Sequence, residues 1–266
     1  MRDAPTILVF DSGLGGLTVY REVARARPDA TFVYAADDAF FPYGQRGETE
    51  LVECVLAEME ELIAAYRPDL VVIACNTAST LVLPHLRKRF AVPFVGTVPA
   101  IKPACAVSVS RMVSVLGTEA TVRREYTLAL IRDFADGCAV TLVGPPRLPT
   151  MAEEELRGRP APDADLQQAI APCFVERNGV RTDTVVLACT HYPLLLDRLI
   201  KLAPWPVNFI DPAPAIARRV VELLGPATAA KPPAARMVFT SGRGPEAALR
   251  ASLETFGIAE FAGVTA

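Results

Sequence analysis

Two cysteines close nearly identical seven-residue stretches of this 266-residue chain. The first stretch is Asp69-Leu-Val-Val-Ile-Ala-Cys75, and the second is Asp183-Thr-Val-Val-Leu-Ala-Cys189. A short apolar run bounded by polar residues is typical of a strand in a parallel sheet that is buried on both faces. Ligands of such sheets bind beyond the carboxyl ends of the strands, so the repetition predicts that both thiols face one pocket. A single copy would more often be a buried packing cysteine.

Polar residues follow each cysteine, Asn76 and Thr77 after the first and Thr190 and His191 after the second. Each pair stands where a helix is predicted to begin, and Asn76 or Thr77 could cap the first of these helices. A helix N-terminus or a nearby cation lowers the pKa of a thiol, which is about 8.5 when unperturbed. Together with Ser12, these residues offer hydroxyl and backbone N–H groups to a carboxylate.

Two thiols on opposite sides of a carbon atom suit one class of reaction. Inverting a stereocentre without a cofactor requires a base that removes the α-proton from one face and an acid that returns a proton to the other face. In the reverse reaction the two groups exchange roles, so a nearly symmetric site is needed. The duplicated stretch therefore predicts an enzyme that inverts a stereocentre with Cys75 and Cys189 as the pair.

Strand-like and helix-like segments alternate along the chain and must position these thiols. Thr6 to Phe10 is predicted to be the first strand, and residues 48–66 repeat apolar side chains at helical spacing. Strict alternation implies an α/β fold with parallel sheets covered by helices on both faces. The repeat divides the chain into two like halves, with a crossing predicted near residues 96–103. Two like domains that meet face to face would form a cleft.

Other residues are expected to be structural. Asp37 and Asp38 are interpreted as solvated loop carboxylates, and His85 lies on a predicted helix with no partner motif. Val122 to Phe134 is predicted to be one helix, and a later helix is expected to extend to about Val175. The remaining cysteines are expected to be packing residues: Cys54, Cys105, Cys138 and Cys173.

The composition, with 51% hydrophobic and 21% charged residues, is typical of soluble globular proteins. A net charge of −3 and the lack of basic runs predict no attraction to nucleic acid or to anionic membranes. No apolar stretch approaches the roughly 20 residues needed to cross a bilayer, and no signal-peptide core is recognised. A cytoplasmic location with free thiols is therefore expected.

Motifs for cofactors and metals are weak. The stretch Gly13-Leu-Gly15-Gly16 is similar to a dinucleotide fingerprint, but Thr18 stands where a third glycine is required. No phosphate-binding GxxxxGK[ST] motif occurs, and none of the four lysines stands in a clear motif for a pyridoxal Schiff base. The cysteines also lack the paired spacing of zinc ligands, so no cofactor and no metal are expected.

Six stretches together resemble the glutamate racemases, the cofactor-independent family of amino-acid racemases that makes D-glutamate for peptidoglycan. They are spread from residue 7 to about residue 220 and comprise Val9-Phe-Asp-Ser-Gly-Leu-Gly-Gly16, Phe41-Pro-Tyr-Gly44, Ala74-Cys-Asn-Thr-Ala-Ser79, Val98-Pro-Ala-Ile-Lys-Pro103, Leu116-Gly-Thr-Glu-Ala-Thr-Val122 and Ala188-Cys-Thr-His-Tyr-Pro-Leu194. The resemblance implies that Cys75 deprotonates D-glutamate and Cys189 deprotonates L-glutamate.

The resemblance also implies helpers for the thiols, namely Asp11, His191 and Glu153. It implies that glutamate is bound by Asp11, Ser12, Tyr43, Gly44, Asn76, Thr77, Thr190 and His191. The implied fold is two pseudo-symmetric flavodoxin-like domains, each a doubly wound parallel sheet, with the active site in the cleft between them. The first domain would comprise residues 1–97 plus 208–266 and the second residues 98–207, and a homodimer is the expected assembly.

Two other functions stay open at this point. A relative with the same pair of thiols could act on aspartate or on a hydantoin, although the polar residues that follow Cys75 and Cys189 favour glutamate. A protein of this fold could also have lost catalysis and become an inhibitor of another enzyme. Loss of either cysteine would support that alternative, and both cysteines are present.

Overall fold

The computed structural model describes residues 4–228 and 235–263; residues 1–3, on which the expectation of no signal peptide partly rests, lie outside the described residues. The strands in chain order are β1 (Thr6–Asp11), β2 (Thr31–Ala36), β3 (Leu70–Ile73), β4 (Phe94–Gly96), β5 (Met112–Gly117), β6 (Ala139–Val143), β7 (Glu176–Arg177), β8 (Val180–Arg181), β9 (Thr184–Ala188), β10 (Asn208–Ile210), β11 (Ala235–Phe239) and β12 (Ile258–Gly263). The α-helices are α1 (Leu17–Ala26), α2 (Glu48–Tyr66), α3 (Asn76–Arg89), α4 (Ile101–Val107), α5 (Glu119–Arg123), α6 (Glu125–Phe134), α7 (Leu148–Leu156), α8 (Asp163–Ile170), α9 (Leu196–Leu202), α10 (Ala213–Leu224) and α11 (Ala247–Thr255).

Two parallel sheets organise the molecule and confirm the predicted α/β fold. The larger has the strand order β12-β11-β2-β1-β3-β4 and the smaller β10-β9-β5-β6. We call the larger sheet with its helices the first lobe and the smaller sheet with its helices the second lobe. In the first lobe β1 lies between β2 and β3, and in the second lobe β5 lies between β6 and β9. Strand order therefore reverses between β1 and β3 and again between β5 and β9, and such switch points form ligand crevices.

Helices cover both faces of the larger sheet because its central strands are apolar on both sides. Along β1, Ile7 and Val9 belong to one hydrophobic cluster, whereas Leu8 and Phe10 belong to the cluster on the opposite face. All four side chains are fully buried. Alternate residues of a strand point to opposite faces, so a continuous apolar run is what a sheet between two helical layers requires.

The chain crosses between the lobes near the predicted place. It leaves β4 at Gly96 and begins α4 at Ile101, and it returns between β10 and α10. Because β10 pairs with β9, residues 208–210 belong to the smaller sheet, and α10 then packs against α1 in the first lobe. The division into residues 1–97 plus 208–266 and residues 98–207 stays a prediction. No helix in the described ranges is both long and apolar enough to cross a membrane.

Two local predictions differ from the structure, and one strand was not predicted. The helix predicted over residues 122–134 is interrupted at Arg124, whose backbone is extended, so that α5 and α6 are separate. The helix expected to reach Val175 ends earlier and is followed by the antiparallel hairpin β7–β8. Asn178 and Gly179 at the tip of this hairpin have positive φ, the geometry that an Asn-Gly turn favours. Strand β12 at the edge of the larger sheet has no counterpart in the sequence prediction.

Candidate active site

The two cysteines lie at equivalent places in the two lobes. Cys75 follows β3 by two residues, and Cys189 directly follows β9; each of these strands borders the switch point of its sheet. Cys75 is itself the residue before α3 and makes no side-chain cap, so the expectation that Asn76 or Thr77 caps this helix is wrong. After Cys189 the chain forms a 3₁₀ turn, Tyr192–Leu195, before α9, so no α-helix begins directly at the second thiol.

A single pocket between the lobes is lined by both thiols. The space between its atoms is about 550 Å³, part of which opens to solvent. Nine of the eleven residues predicted for the site line it: Ser12, Tyr43, Gly44, Cys75, Asn76, Thr77, Cys189, Thr190 and His191. The other two, Asp11 and Glu153, are buried and contact residues of the lining.

Cys75 is buried beside polar groups of the first lobe. Its thiol donates a hydrogen bond to the Ser12 hydroxyl oxygen, with 3.6 Å between sulfur and oxygen. Burial raises the pKa of Cys75 to about 12, and the negative charge of Asp11 adds to the rise. This thiol is therefore protonated at neutral pH.

Asp11 ends β1 and is fully buried. Its Oδ2 accepts hydrogen bonds from the backbone N–H groups of Gly13 at 3.2 Å and Gly16 at 3.0 Å, whereas Oδ1 has no partner among the described residues. Burial raises the pKa of this carboxyl group, and the positive charge of His191, which would lower it, is the smaller effect. The negative charge of Asp11 therefore disfavours ionisation of the Cys75 thiol.

Cys189 has a different set of neighbours. Its sulfur lies 3.7 Å from Nδ1 of His191, and Nε2 of His191 lies 3.1 Å from Oε1 of Glu153. Burial alone would lower the pKa of His191, but the hydrogen bonds to Cys189 and Glu153 outweigh burial and hold that pKa well above its usual range. Burial alone would raise the pKa of Glu153. The hydrogen bond to His191 and the positive charge of His191 outweigh burial and hold that pKa below its usual value. At neutral pH the pair is an imidazolium and a carboxylate.

The glycine-rich turn after β1 reaches across to this second group of residues. The backbone N–H of Leu14 donates to Oε1 of Glu153 at 2.9 Å. A Cβ atom placed on Gly13 would lie 2.1 Å from Oε1 of Glu153, and one placed on Gly15 would lie 2.4 Å from Nδ1 of His191. The turn is thus glycine-rich because the two lobes meet there, which explains a motif that is only superficially similar to a dinucleotide fingerprint.

Neutral donors dominate the wall of the pocket. Asn76 is buried, and neither Oδ1 nor Nδ2 of its amide has a hydrogen-bond partner in the described part of the chain. An unpaired buried amide is costly unless a ligand satisfies it. The lining residues include no lysine or arginine, so hydroxyls, amides, backbone N–H groups and His191 are the groups available to a carboxylate.

Several lining residues escaped the sequence prediction. Thr118 caps α5 and bonds to Thr77 of the first lobe, with 3.0 Å between the two hydroxyl oxygens. Phe41 packs its ring 5.6 Å from that of His191, measured between ring centroids. Thr118 lies in the stretch 116–122 that resembles the racemases. The similarity of the two halves of the chain also pointed to Thr118, because it directly follows β5 as Ser12 directly follows β1.

Asp37 contradicts its interpretation as a solvated carboxylate. It is buried, and its Oδ2 accepts a hydrogen bond of 2.5 Å from the Tyr43 hydroxyl, while Oδ1 accepts one of 2.7 Å from Thr240. Burial, with the charge of Asp37, holds the pKa of Tyr43 well above its usual value, so Tyr43 remains a donor. Because this phenol already donates its proton to Asp37, Tyr43 can offer a carboxylate its backbone but not a hydroxyl proton. Within residues 4–228 and 235–263, no group of three or more His, Cys, Asp or Glu side chains could hold a metal ion.

Comparisons with known proteins agree with this geometry. The model of the Asp/Glu/hydantoin racemase family matches residues 7–220. A glutamate racemase from Brucella anthropi is 53% identical over 255 residues, which cover 95% of this chain and 92% of that protein. The crystal structure of Escherichia coli glutamate racemase in complex with L-glutamate and the activator UDP-MurNAc-Ala is similar, with a TM-score of 0.89, 38% identity and 98% of each chain covered. Glutamate racemase isoform RacE1 from Bacillus anthracis aligns with a TM-score of 0.80 at 27% identity, over 99% of this chain and 98% of that one.

Proposed function

Because the chain belongs to the Asp/Glu/hydantoin racemase family, we propose that Cys75 and Cys189 are the two proton-transfer groups of its reaction. The enzyme is a glutamate racemase, an isomerase that interconverts L- and D-glutamate and supplies D-glutamate for peptidoglycan. The observation that carries the proposal is that two buried thiols, one from each lobe, line the same pocket.

The reaction requires one thiolate and one thiol at a time. A thiolate on one side takes the α-proton, the electron pair of the broken C–H bond stays on the α-carbon, and the thiol on the other side donates a proton to that carbon. The chain is left with the protonation states of its two cysteines exchanged. Starting from D-glutamate, Cys75 is the base and Cys189 the acid, and L-glutamate reverses these roles.

Different helpers serve the two thiols. On the Cys75 side we assign proton exchange to Asp11, because one of its oxygens has no partner and its charge acts on that thiol. On the Cys189 side we assign it to His191, which Glu153 orients and charges through the 3.1 Å contact. Glu153 is thus a positioning residue. Both arrangements place an ionisable group next to a thiol that must change its protonation state once in each turnover.

Glutamate is held mainly by neutral groups in the proposed complex. The unpaired amide of Asn76 and the hydroxyls of Ser12, Thr77 and Thr190 surround the space next to the thiols. Tyr43 and Gly44 contribute backbone rather than side-chain groups, since the Tyr43 phenol is bonded to Asp37.

We extend the proposal to a cytoplasmic homodimer. The six cysteines are free, which suits a reducing compartment. Apolar side chains such as Val109 and Ile200 are exposed on the second lobe and are the kind of surface that a dimer would cover. Light scattering coupled to size-exclusion chromatography measures the assembly directly.

The experiment that tests the mechanism replaces each thiol in turn. Cys75→Ser and Cys189→Ser should each nearly abolish racemisation of glutamate, measured by circular dichroism, and exchange of its α-proton with deuterium oxide, measured by NMR. Cys138→Ser, which changes a half-buried thiol outside the pocket, is the matched control and should retain full activity. L-aspartate serves as the control substrate. Full exchange in both active-site variants would contradict the two-thiol mechanism.

A further inference from the structure

The inner wall of the pocket is sealed from solvent. Cys75 and Cys189 are each 5% exposed, and Asn76 is 2% exposed. The exposed lining residues are Gln45, Glu119 and Pro146, and the rim lies there. A surface that a water molecule scarcely reaches is closed to glutamate, so the proposed substrate can enter only after the lobes separate.

Separation can occur on one side only. The chain joins the lobes covalently in two places, between β4 and α4 and between β10 and α10, and these two connections lie together, lining a groove apart from the thiols. The rim at Gln45 and Glu119 instead brings together elements that no covalent link holds, the 3₁₀ turn Tyr43–Gln45 with α5. Opening therefore takes place at the rim, with the two connections as the hinge.

One ion pair crosses between the lobes beside this rim. Glu48 begins α2, three residues after Gln45, and its carboxylate pairs with the guanidinium of Arg124, the residue that separates α5 from α6. The side chain of Arg124 is only 10% exposed, and its Nε has no hydrogen-bond partner within the described ranges. A buried cation with a single charged partner depends strongly on that partner.

Arg124 is also tied to the wall of the pocket. Arg124 directly follows α5, which Thr118 caps and which contains Thr121. The hydroxyl oxygen of Thr77 in the first lobe lies 3.0 Å from that of Thr118 and 3.2 Å from that of Thr121. Gly44 lies against Thr118 so closely that an added Cβ would approach the Thr118 Cβ to 3.3 Å. Any movement of α5 away from the first lobe breaks these contacts together with the ion pair.

We propose that Arg124 is a positioning residue that, through its ion pair with Glu48, holds the α5 wall of the pocket closed on the substrate. The inference rests on the proposed function, since closure matters for catalysis only if the pocket binds glutamate. The ion pair stabilises the closed form, which has the complete set of substrate contacts. Weakening the pair therefore lowers the fraction of closed enzyme and raises the apparent dissociation constant for the substrate.

Glu48→Gln tests the proposal with little risk to folding, because the Glu48 side chain is 69% exposed. We expect KM to rise about fivefold for both enantiomers, the size of effect measured for partly exposed ion pairs. Glu50→Gln is the matched control, because Glu50 lies in the same first turn and forms no salt bridge in the described part of the chain. It should leave KM unchanged. Arg124→Gln should reproduce the change, and combining it with Glu48→Gln should add little.

Salt distinguishes a closing ion pair from a merely structural one. At about 1 M NaCl the screening length falls to roughly 3 Å, so the exposed Glu48 carboxylate is partly screened and the KM ratio between Glu48→Gln and the unmodified enzyme should fall below its low-salt value. Calorimetric titration of D-glutamate into the same proteins in a Cys75→Ser background reads affinity directly. Any residual racemisation adds no heat, because the two enantiomers have equal enthalpies in water, so a failure of the two-thiol mechanism leaves this test intact. An unchanged KM and affinity in Glu48→Gln, or an equal change in Glu50→Gln, would overturn the proposal.

Discussion

Adding one methyl group at Gly15 tests whether contact between the lobes sets the geometry around Cys189. The φ angle of Gly15 is not among the positive ones, so alanine introduces no backbone strain and acts through space alone. Its Cβ would lie 2.4 Å from Nδ1 of His191 and 2.6 Å from the backbone nitrogen of the same residue. Ordinary contact begins at about 3.5 Å, so His191 has to retreat by about 1 Å.

Such a retreat acts directly on the proton path that we propose. The sulfur of Cys189 now lies 3.7 Å from Nδ1, and Glu153 lies 3.1 Å from Nε2, so a 1 Å shift breaks one contact or both. A displacement of this size in a reacting group lowers the rate by about a hundredfold. Overpacking also costs about 1–3 kcal/mol of stability, which is small enough for a folded protein.

The assay is racemisation followed by circular dichroism from both pure enantiomers. L- and D-glutamate have equal free energies in water, so kcat/KM must fall equally in the two directions, by about a hundredfold. Gly244→Ala is the matched control, because a Cβ there meets no atom within 4 Å, and it should retain full activity. A folded Gly15→Ala protein with the activity of the unmodified enzyme would refute the argument that this contact positions His191.

Three further predictions concern charge and burial. Glu153→Gln removes a carboxylate that raises the pKa of His191, so the alkaline limb of the pH profile of kcat/KM should move to lower pH. Asn76→Ala should raise KM for glutamate about tenfold without lowering the melting temperature, since the amide has no internal partner to lose. Asp29→Asn should lower the free energy of unfolding by about 3 kcal/mol at neutral pH in a denaturant titration, because it strands the buried guanidinium of Arg27. Its hydrogen bond to Arg27 holds the pKa of Asp29 below the unfolded value of about 3.9, so the stabilisation is complete above that pH and is lost as the pH falls through the folded value.

The elements that carry the thiols could be predicted because their signals are local. The run from Leu70 to Ile73 is apolar at every position and becomes a fully buried strand, and the periodic stretch Glu48–Tyr66 becomes a helix with the predicted bounds. The repetition of the cysteine stretch predicted that Cys75 and Cys189 would face one pocket, and both line it. The catalytic and binding roles of the lining residues stay predictions.

What escaped prediction depends on contacts between distant parts of the chain. Asp37 is buried because Tyr43 and Thr240 close over it, and no local pattern places Thr240 there. The approach of Gly15 to His191 likewise exists only once the lobes meet. The hairpin β7–β8 is a different case, because the Asn-Gly pair at residues 178–179 is a sequence signal for a hairpin turn. The hairpin could therefore have been predicted, but a long helix was predicted instead.

The hydrogen bond from the backbone N–H of Leu14 to Glu153 makes the charges near Cys189 depend on contact between the two lobes. Leu14 belongs to the first lobe and Glu153 to the second, so parting the lobes removes the donor and exposes the carboxylate to water. The charge relation that keeps His191 protonated beside Cys189 then loosens as well. The proton transfer that we propose at Cys189 therefore requires the two lobes to be closed.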